Sequence, residues 1–411
     1  MKTNTCCLFL LLLCTGFLSC EKEVEADKLQ SSGRPFAGTA TLSGILNSSR
    51  TLHKDTLYRL EGIVWVANGS TLTIAPGVRI ECIKPENNTQ LPAALIILPA
   101  ARIECNGTAA EPVVFTSHAS KPAPGDWGGI LLLGQAGGQY AGSSLLRTLA
   151  MFNHKADSLI LQSDSAWRYG NTLSDNSGSI TYTRIEYAGI PHQLSALTLC
   201  GTGSGTTIDY VEAAWPRSHA FEFRGGNTPA SHLISLCPVQ EAFSTKMGYS
   251  GRLSYSLSLT HPRAADSAFT AVHPPKTAYG KSSSNTGVAF DHLTVIGLAS
   301  APPPFYQAKW HSNTITTKDH VTITHSLFLG YLDNTQFITA GANISFTAPS
   351  RLHNYTENND SIQLISPWDW ADFRPASSSP AARPTSDSAA YKGAFAPEAF
   401  PWTGSWARFD Y

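Results

Sequence analysis

The tetrapeptide Arg79-Ile80-Glu81-Cys82 recurs unchanged as Arg102-Ile103-Glu104-Cys105, 23 residues later. The surroundings recur with it: Leu72-Thr73-Ile74-Ala75-Pro76-Gly77 precedes the first copy and Leu95-Ile96-Ile97-Leu98-Pro99-Ala100 the second. Strand-like alternation repeated with a period in the twenties marks a β-solenoid. Ile and Cys sit two apart and share one face, while the Glu between them points the other way. Stacked coils would set Cys82 over Cys105 at the strand spacing of about 4.8 Å. Two readings of that pair stay open, a disulfide and a buried ladder of small apolar side chains.

The alternation continues in Ile180–Gly189, Thr207–Ala213, His232–Leu236 and Leu253–Leu259, with Ile185 and Val211 in like positions. It returns in Val288–Val295 and Val321–Leu327, where His292 and His325 fall at similar strand positions. No amphipathic helical stretch of useful length appears there. Asn68-Gly69 and Asn106-Gly107 lie one coil-like interval apart, which suits coil turns better than hairpins. The expected fold is all-β, a right-handed parallel β-helix over 51–372 with loop insertions at 135–178, 262–287 and 298–318. A C-terminal irregular segment over 373–411 then caps the open end with Trp402 and Trp406. Composition agrees: 42% hydrophobic residues suffice for a core, and 32 Gly with 25 Pro supply turns. Lys plus Arg number 29 against 30 acids, so there is no basic field to hold nucleic acid.

The N-terminus carries an address. Lys2 precedes the apolar run Leu8–Leu13, too short to span a bilayer, and the stretch ends at Leu18-Ser19-Cys20. This resembles a bacterial lipobox, which implies a signal peptide over 1–19 and a Cys20 carrying diacylglycerol and palmitate. The acidic run Glu21–Asp27 that follows resembles the surface-export signal of Bacteroides-type lipoproteins, and 20–50 reads as lipidated Cys and polar tether. These features predict an outer-membrane protein held by lipid alone and facing the cell exterior. The tripeptide Asp-(Ser/Thr)-apolar marks Thr56, Ser158, Ser165, Ser267, Ser361 and Ser388. It resembles the O-glycosylation acceptor of the same bacteria and accounts for six of sixteen Asp, where chance gives roughly one.

Several ordered motifs then point to a family. They are Thr71–Gly77, Gly107–Ser117, Gly125-Asp126-Trp127-Gly128-Gly129-Ile130, Arg184–Gly189, Gly203–Ile208, Gly225-Gly226, Gly248-Tyr249-Ser250-Gly251 and Trp402–Trp406. Together they resemble the right-handed parallel β-helix, pectin-lyase-like surface lipoproteins common in Bacteroidetes, over about 55–411. The resemblance implies a fold and a location, not a reaction. It also implies acid clusters before Phe-Glu-x-x-Gly-Gly and before Gly-Tyr-Ser-Gly. Here those places hold Ser218-His219-Ala220 and Gln240–Met247, so most oxygen ligands for a calcium ion are gone.

Lyases of this fold resemble one another in pairing clustered acids with a basic Arg or Lys. Glu222, Glu241, Arg224 and Lys246 are the neighbours here that mix those types; inter-coil salt bridging is the other reading of them. Asp126 reads as the cap of a tight turn against which Trp127 packs. No zinc-type Cys pairs, nucleophile elbow or phosphate loop occurs. Trp167, Trp215 and Trp310 in loops suggest contacts to sugar faces. The expectation is therefore a scaffold that binds carbohydrate or a surface-protein partner, needs no cofactor and does no catalysis. The alternatives are a polysaccharide lyase or hydrolase, and an adhesin or accessory protein of an outer-membrane transporter.

Overall fold

The computed structural model describes residues 36–67, 69–86, 92–136, 172–191, 193–259, 276–277, 287–296, 320–329, 343–346, 351–354, 362–367, 371–382 and 391–409. The predicted insertions, except for their margins and a few strand residues, lie outside them. Within the described residues the chain is a parallel β-helix: 24 strands join in one continuous parallel sheet that folds into three walls.

Wall 1 stacks Arg50–Leu52, Thr71–Ile74, Arg102–Asn106, the starts of Gly178–Glu186, Thr207–Ala214 and Ala230–Leu236, then Arg252–Ser254, Gly287–Asp291, His320–Thr324 and Asn343–Phe346. Wall 2 stacks the starts of Gly38–Leu46 and Thr56–Val66 on Arg79–Cys82 and Val113–Ser117. It continues through the second halves of the three long strands to Leu257–Leu259, Thr294–Ile296, Ser326–Leu329 and Arg351–Asn354. Wall 3 runs from the ends of the first two long strands through Ala94–Ile97, Gly129–Leu133, Leu197–Cys200, Phe221–Arg224 and Phe243–Lys246 to Lys276–Thr277.

Alternation dictates what faces inward. In Thr71–Ile74 and Arg79–Cys82 the apolar residues are buried, while Thr, Arg and Glu remain half-exposed on the outer face. The inward residues form one continuous core, in which Phe221 stacks on Phe243 at 5.8 Å. Wall 3 is buried on both faces over Ala94–Ile97 and Leu197–Cys200, because a second cluster with Ile190 and Leu194 covers its outside. Trp127 is fully buried and its indole N–H donates to the Glu186 carbonyl at 2.8 Å. Asp126 takes the turn-capping role, accepting from the Ala123 N–H at 2.9 Å and the Ser117 hydroxyl at 2.7 Å.

Four expectations change. The solenoid begins at Gly38, inside the stretch assigned to a tether, because Gly38–Leu46 already pairs with Thr56–Val66. The two Arg-Ile-Glu-Cys copies lie on different walls. Cys82 is opposite Leu60 and Ser117, whereas Cys105 is opposite Ile74 in wall 1. Cys82 and Cys105 therefore reach the same core from separate sides as buried thiols, with no disulfide. Val211 pairs with Thr183, and Ile185 with Ala213, two residues from the expected register. Lastly, Trp402 and Trp406 cover a flank rather than an end. The outer face of wall 2 is apolar from Ala214 to Leu327, and residues 362–367, 371–382 and 391–409 lie across it, burying Phe373, Phe395 and Trp406.

Candidate functional site

The corner between walls 1 and 2 repeats one device. Tyr182, Tyr210, His232, Tyr255, His292 and His325 each turn it with φ between 44° and 54°. Non-glycine residues occupy that left-handed region at a cost of about 1–2 kcal/mol. The rings offset the cost by stacking, each aromatic pair contributing about 0.5–1.5 kcal/mol. Successive centroids are 4.3, 4.2, 5.6, 4.9 and 4.8 Å apart, near the strand spacing that sets them. The ladder was legible: a hydroxyl or acidic residue precedes the ring at every rung, as in Asp209-Tyr210, Ser231-His232 and Asp291-His292. Sequence reasoning paired only His292 with His325.

The C-terminal segment docks on this ladder. The Gly393 N–H donates to the His325 carbonyl at 2.8 Å, and the Ala394 N–H to Thr294 Oγ1 at 2.8 Å. Trp402 meets His232 edge-on at 5.1 Å and stacks on Phe395 at 5.0 Å. Trp406 meets Tyr182 edge-on at 5.9 Å. Farther along, Ser405 Oγ donates to the Ala109 carbonyl at 3.0 Å.

Between ladder and segment lies a cleft of about 240 Å³. Its walls include His232, Tyr255, Tyr391, Phe395, Phe400 and Trp402, with Arg374 as the charged group. Phe400 is 85% exposed, a large ring face held in water at the rim. The ladder rings are stacked on one another and offer edges to the cleft. Arg374 is forked onto Asp372, with nitrogen–oxygen distances of 2.9 and 2.7 Å, and donates to the Ala399 carbonyl at 2.9 Å. That pairing holds the Asp372 carboxyl below the usual carboxylate range. Aromatic walls with one oriented guanidinium suit a sugar-sized ligand better than a large apolar one.

The residues selected from sequence lie elsewhere. Glu222 and Arg224 are on Phe221–Arg224, buried on the outer side of wall 3. Glu222, 2% exposed, accepts from Arg224 Nη2 at 2.9 Å and from Ser195 Oγ at 3.0 Å. Burial pulls the Arg224 pKa down, but the adjacent Glu222 carboxylate outweighs it and raises the pKa. Glu241 sits one coil along, its Oε2 2.9 Å from His219 Nδ1. Lys246 lies opposite Arg224 in the register; its side chain is outside the described residues. Glu222, Arg224 and Glu241 are enclosed and paired, the arrangement of a buried ionic contact rather than an open groove. Trp215 turns the corner between walls 2 and 3 with φ 56°, packed against the outer cluster and away from the cleft. Thr56 opens its strand half-buried. Cys20, Ser158, Ser165, Ser267, Ser361, Ser388, Trp167 and Trp310 lie outside the described residues.

Among the described residues the one grouping of possible metal ligands is Asp291, His292 and His325, within 4.8 Å of one another. Two nitrogens and one carboxylate oxygen do not resemble the all-oxygen shell that calcium takes. No helix among the described residues is long and apolar enough to cross a membrane.

Residues 44–303 match the family model described as a pectate-lyase like beta helix domain. No curated protein and no solved structure matches the chain.

Proposed function

We propose that this chain, which belongs to the pectate-lyase-like β-helix family, is a lipid-anchored surface scaffold that binds carbohydrate without turning it over. The observation that carries the reading is Phe400, a bare ring face beside a cleft with aromatic edges and one guanidinium. Sugar rings present C–H faces to such surfaces and hydroxyls to such edges. Against a lyase or hydrolase stands the state of its candidate acids: Glu222 and Glu241 face Arg224 and His219 in enclosed pairs. Two-carboxylate hydrolysis needs acids opposed across an open cleft. The anchor is diacylated Cys20, placing the solenoid on the outer membrane with its cleft toward the exterior.

The test is a panel of neutral and acidic polysaccharides, scored for retention and for chain shortening, with and without calcium. Retention without shortening is expected, and Phe400→Ala should weaken it about tenfold, the value of one ring contact. Shortened chains would replace this reading with a lyase or hydrolase. No retention of any glycan would leave a protein-binding adhesin or transporter accessory as the better account. Labelled palmitate should be incorporated by the wild-type chain and not by Cys20→Ala.

A further inference from the structure

We propose that Asp291, His292 and His325 form a binding site for a divalent transition metal of the zinc type. It lies at the far end of the aromatic ladder, one rung beyond the cleft. It is independent of the carbohydrate reading.

The three residues come together because two successive coils turn the same corner. Asp291 ends one wall-1 strand and His292 is its corner residue, while His325 is the corner residue of the next coil. His325 Nδ1 lies 2.7 Å from Asp291 Oδ1, and His292 Nδ1 lies 3.1 Å from the same oxygen. Zinc bonds of about 2.0–2.1 Å at tetrahedral angles separate neighbouring ligand atoms by about 3.3 Å. Those two separations have to open by about 0.6 and about 0.2 Å, and all three ligand atoms lie within 4.8 Å of one another.

Burial holds the set together. His292 is 8% exposed, and its Nδ1 is paired with Asp291 Oδ1 at 3.1 Å. Both imidazoles already converge on one carboxylate, and a divalent cation would displace the protons they share with it. The other carboxylate oxygen, Oδ2, is held by Arg252, and Thr324 Oγ1 donates to Oδ1 at 2.5 Å. Such outer partners orient a ligating carboxylate. Tyr391 stands 5.2 Å from the His292 ring on the covering segment. Three protein ligands leave a fourth position for water. Two nitrogens and one oxygen favour zinc or cobalt over calcium or magnesium.

The test uses the purified protein, stripped with a chelator and titrated with Co²⁺ while visible absorption is followed, then with Zn²⁺ in competition. One Co²⁺ per chain in a tetrahedral environment, displaced by Zn²⁺, is expected. His325→Gln and Asp291→Asn should each weaken binding tenfold or more, and His118→Gln, at a half-exposed ring 2.8 Å from Glu81 Oε2 and outside the cluster, should leave it unchanged. If Asp291→Asn does not fold, the partly exposed His325 decides alone. Binding well below one ion per chain, or equal binding by His325→Gln, would overturn the site.

Discussion

Glu212 offers the sharpest physical test of how the C-terminal segment is held. It lies on the outer side of wall 2, fully buried beneath that segment. The Arg408 backbone N–H donates to its Oε2 at 3.0 Å, and Oε1 has no hydrogen-bond partner among the described residues. Burial pushes its carboxyl up from 4.5 to about 8; Arg184 and Arg408 pull it down, and Glu186 pushes it further up. In the folded protein Glu212 therefore stays protonated until about pH 8. In the unfolded chain it ionises near its ordinary value. The contribution to stability is full below pH 4.5, falls as pH rises through the interval, and levels off above pH 8. Three and a half units at 1.36 kcal/mol each amount to about 5 kcal/mol. Glu212→Gln keeps the acceptor for Arg408 and removes the titration. Urea unfolding from pH 5 to pH 9, read by tryptophan fluorescence, should show little difference between the two proteins at pH 5. The variant should gain steadily on the wild type up to pH 8. A difference curve that is flat across that range would refute a buried, proton-holding Glu212.

Gly393 adopts φ +90°, and a Cβ there would stand 2.6 Å from Leu327 Cδ1 and 2.8 Å from Thr294 Oγ1. Gly393→Ala should cost more than about 1 kcal/mol, and limited proteolysis should show 391–409 released first; unchanged protection would exclude this anchoring role. The Cys105 thiol is pushed up to about 12 by burial, which outweighs the Thr183 hydroxyl that lowers it, and burial raises Cys82 as well. Neither should react with a thiol reagent at pH 8 until the protein is unfolded, and both should then react without reductant. Phe221→Ala, emptying a stacked core position, should cost about 3–5 kcal/mol in the same urea experiment.

The solenoid was readable because its inward positions obey a period of two that survives within each strand. The repeated Arg-Ile-Glu-Cys shows where that signal ends. Any two walls of the same coil carry the same alternation, so matching sequences need not be stacked. Only the register, with Leu72 opposite Ile103, tells the walls apart. The corner rings were visible as a polar–aromatic pair at each rung, although insertions of unequal length hide the period. The cleft was not readable. It forms where Trp402 meets His232, and no local pattern connects positions so far apart. Aromatics selected as loop residues missed it for the same reason: exposure at Phe400 is a property of the covering segment's path.

That path has a consequence for the order in which the coils are covered. Residues 391–409 are made after every described coil they touch, including the coil of Ala109. Until then Tyr182 and His232 lack the Trp406 and Trp402 rings that meet them, and the apolar side of wall 2 is covered only in part. A chain interrupted late in synthesis would carry a finished core and an adhesive flank. The segment 391–409 thus acts as a seal, and its docking is the step that covers the ring edges of the ladder.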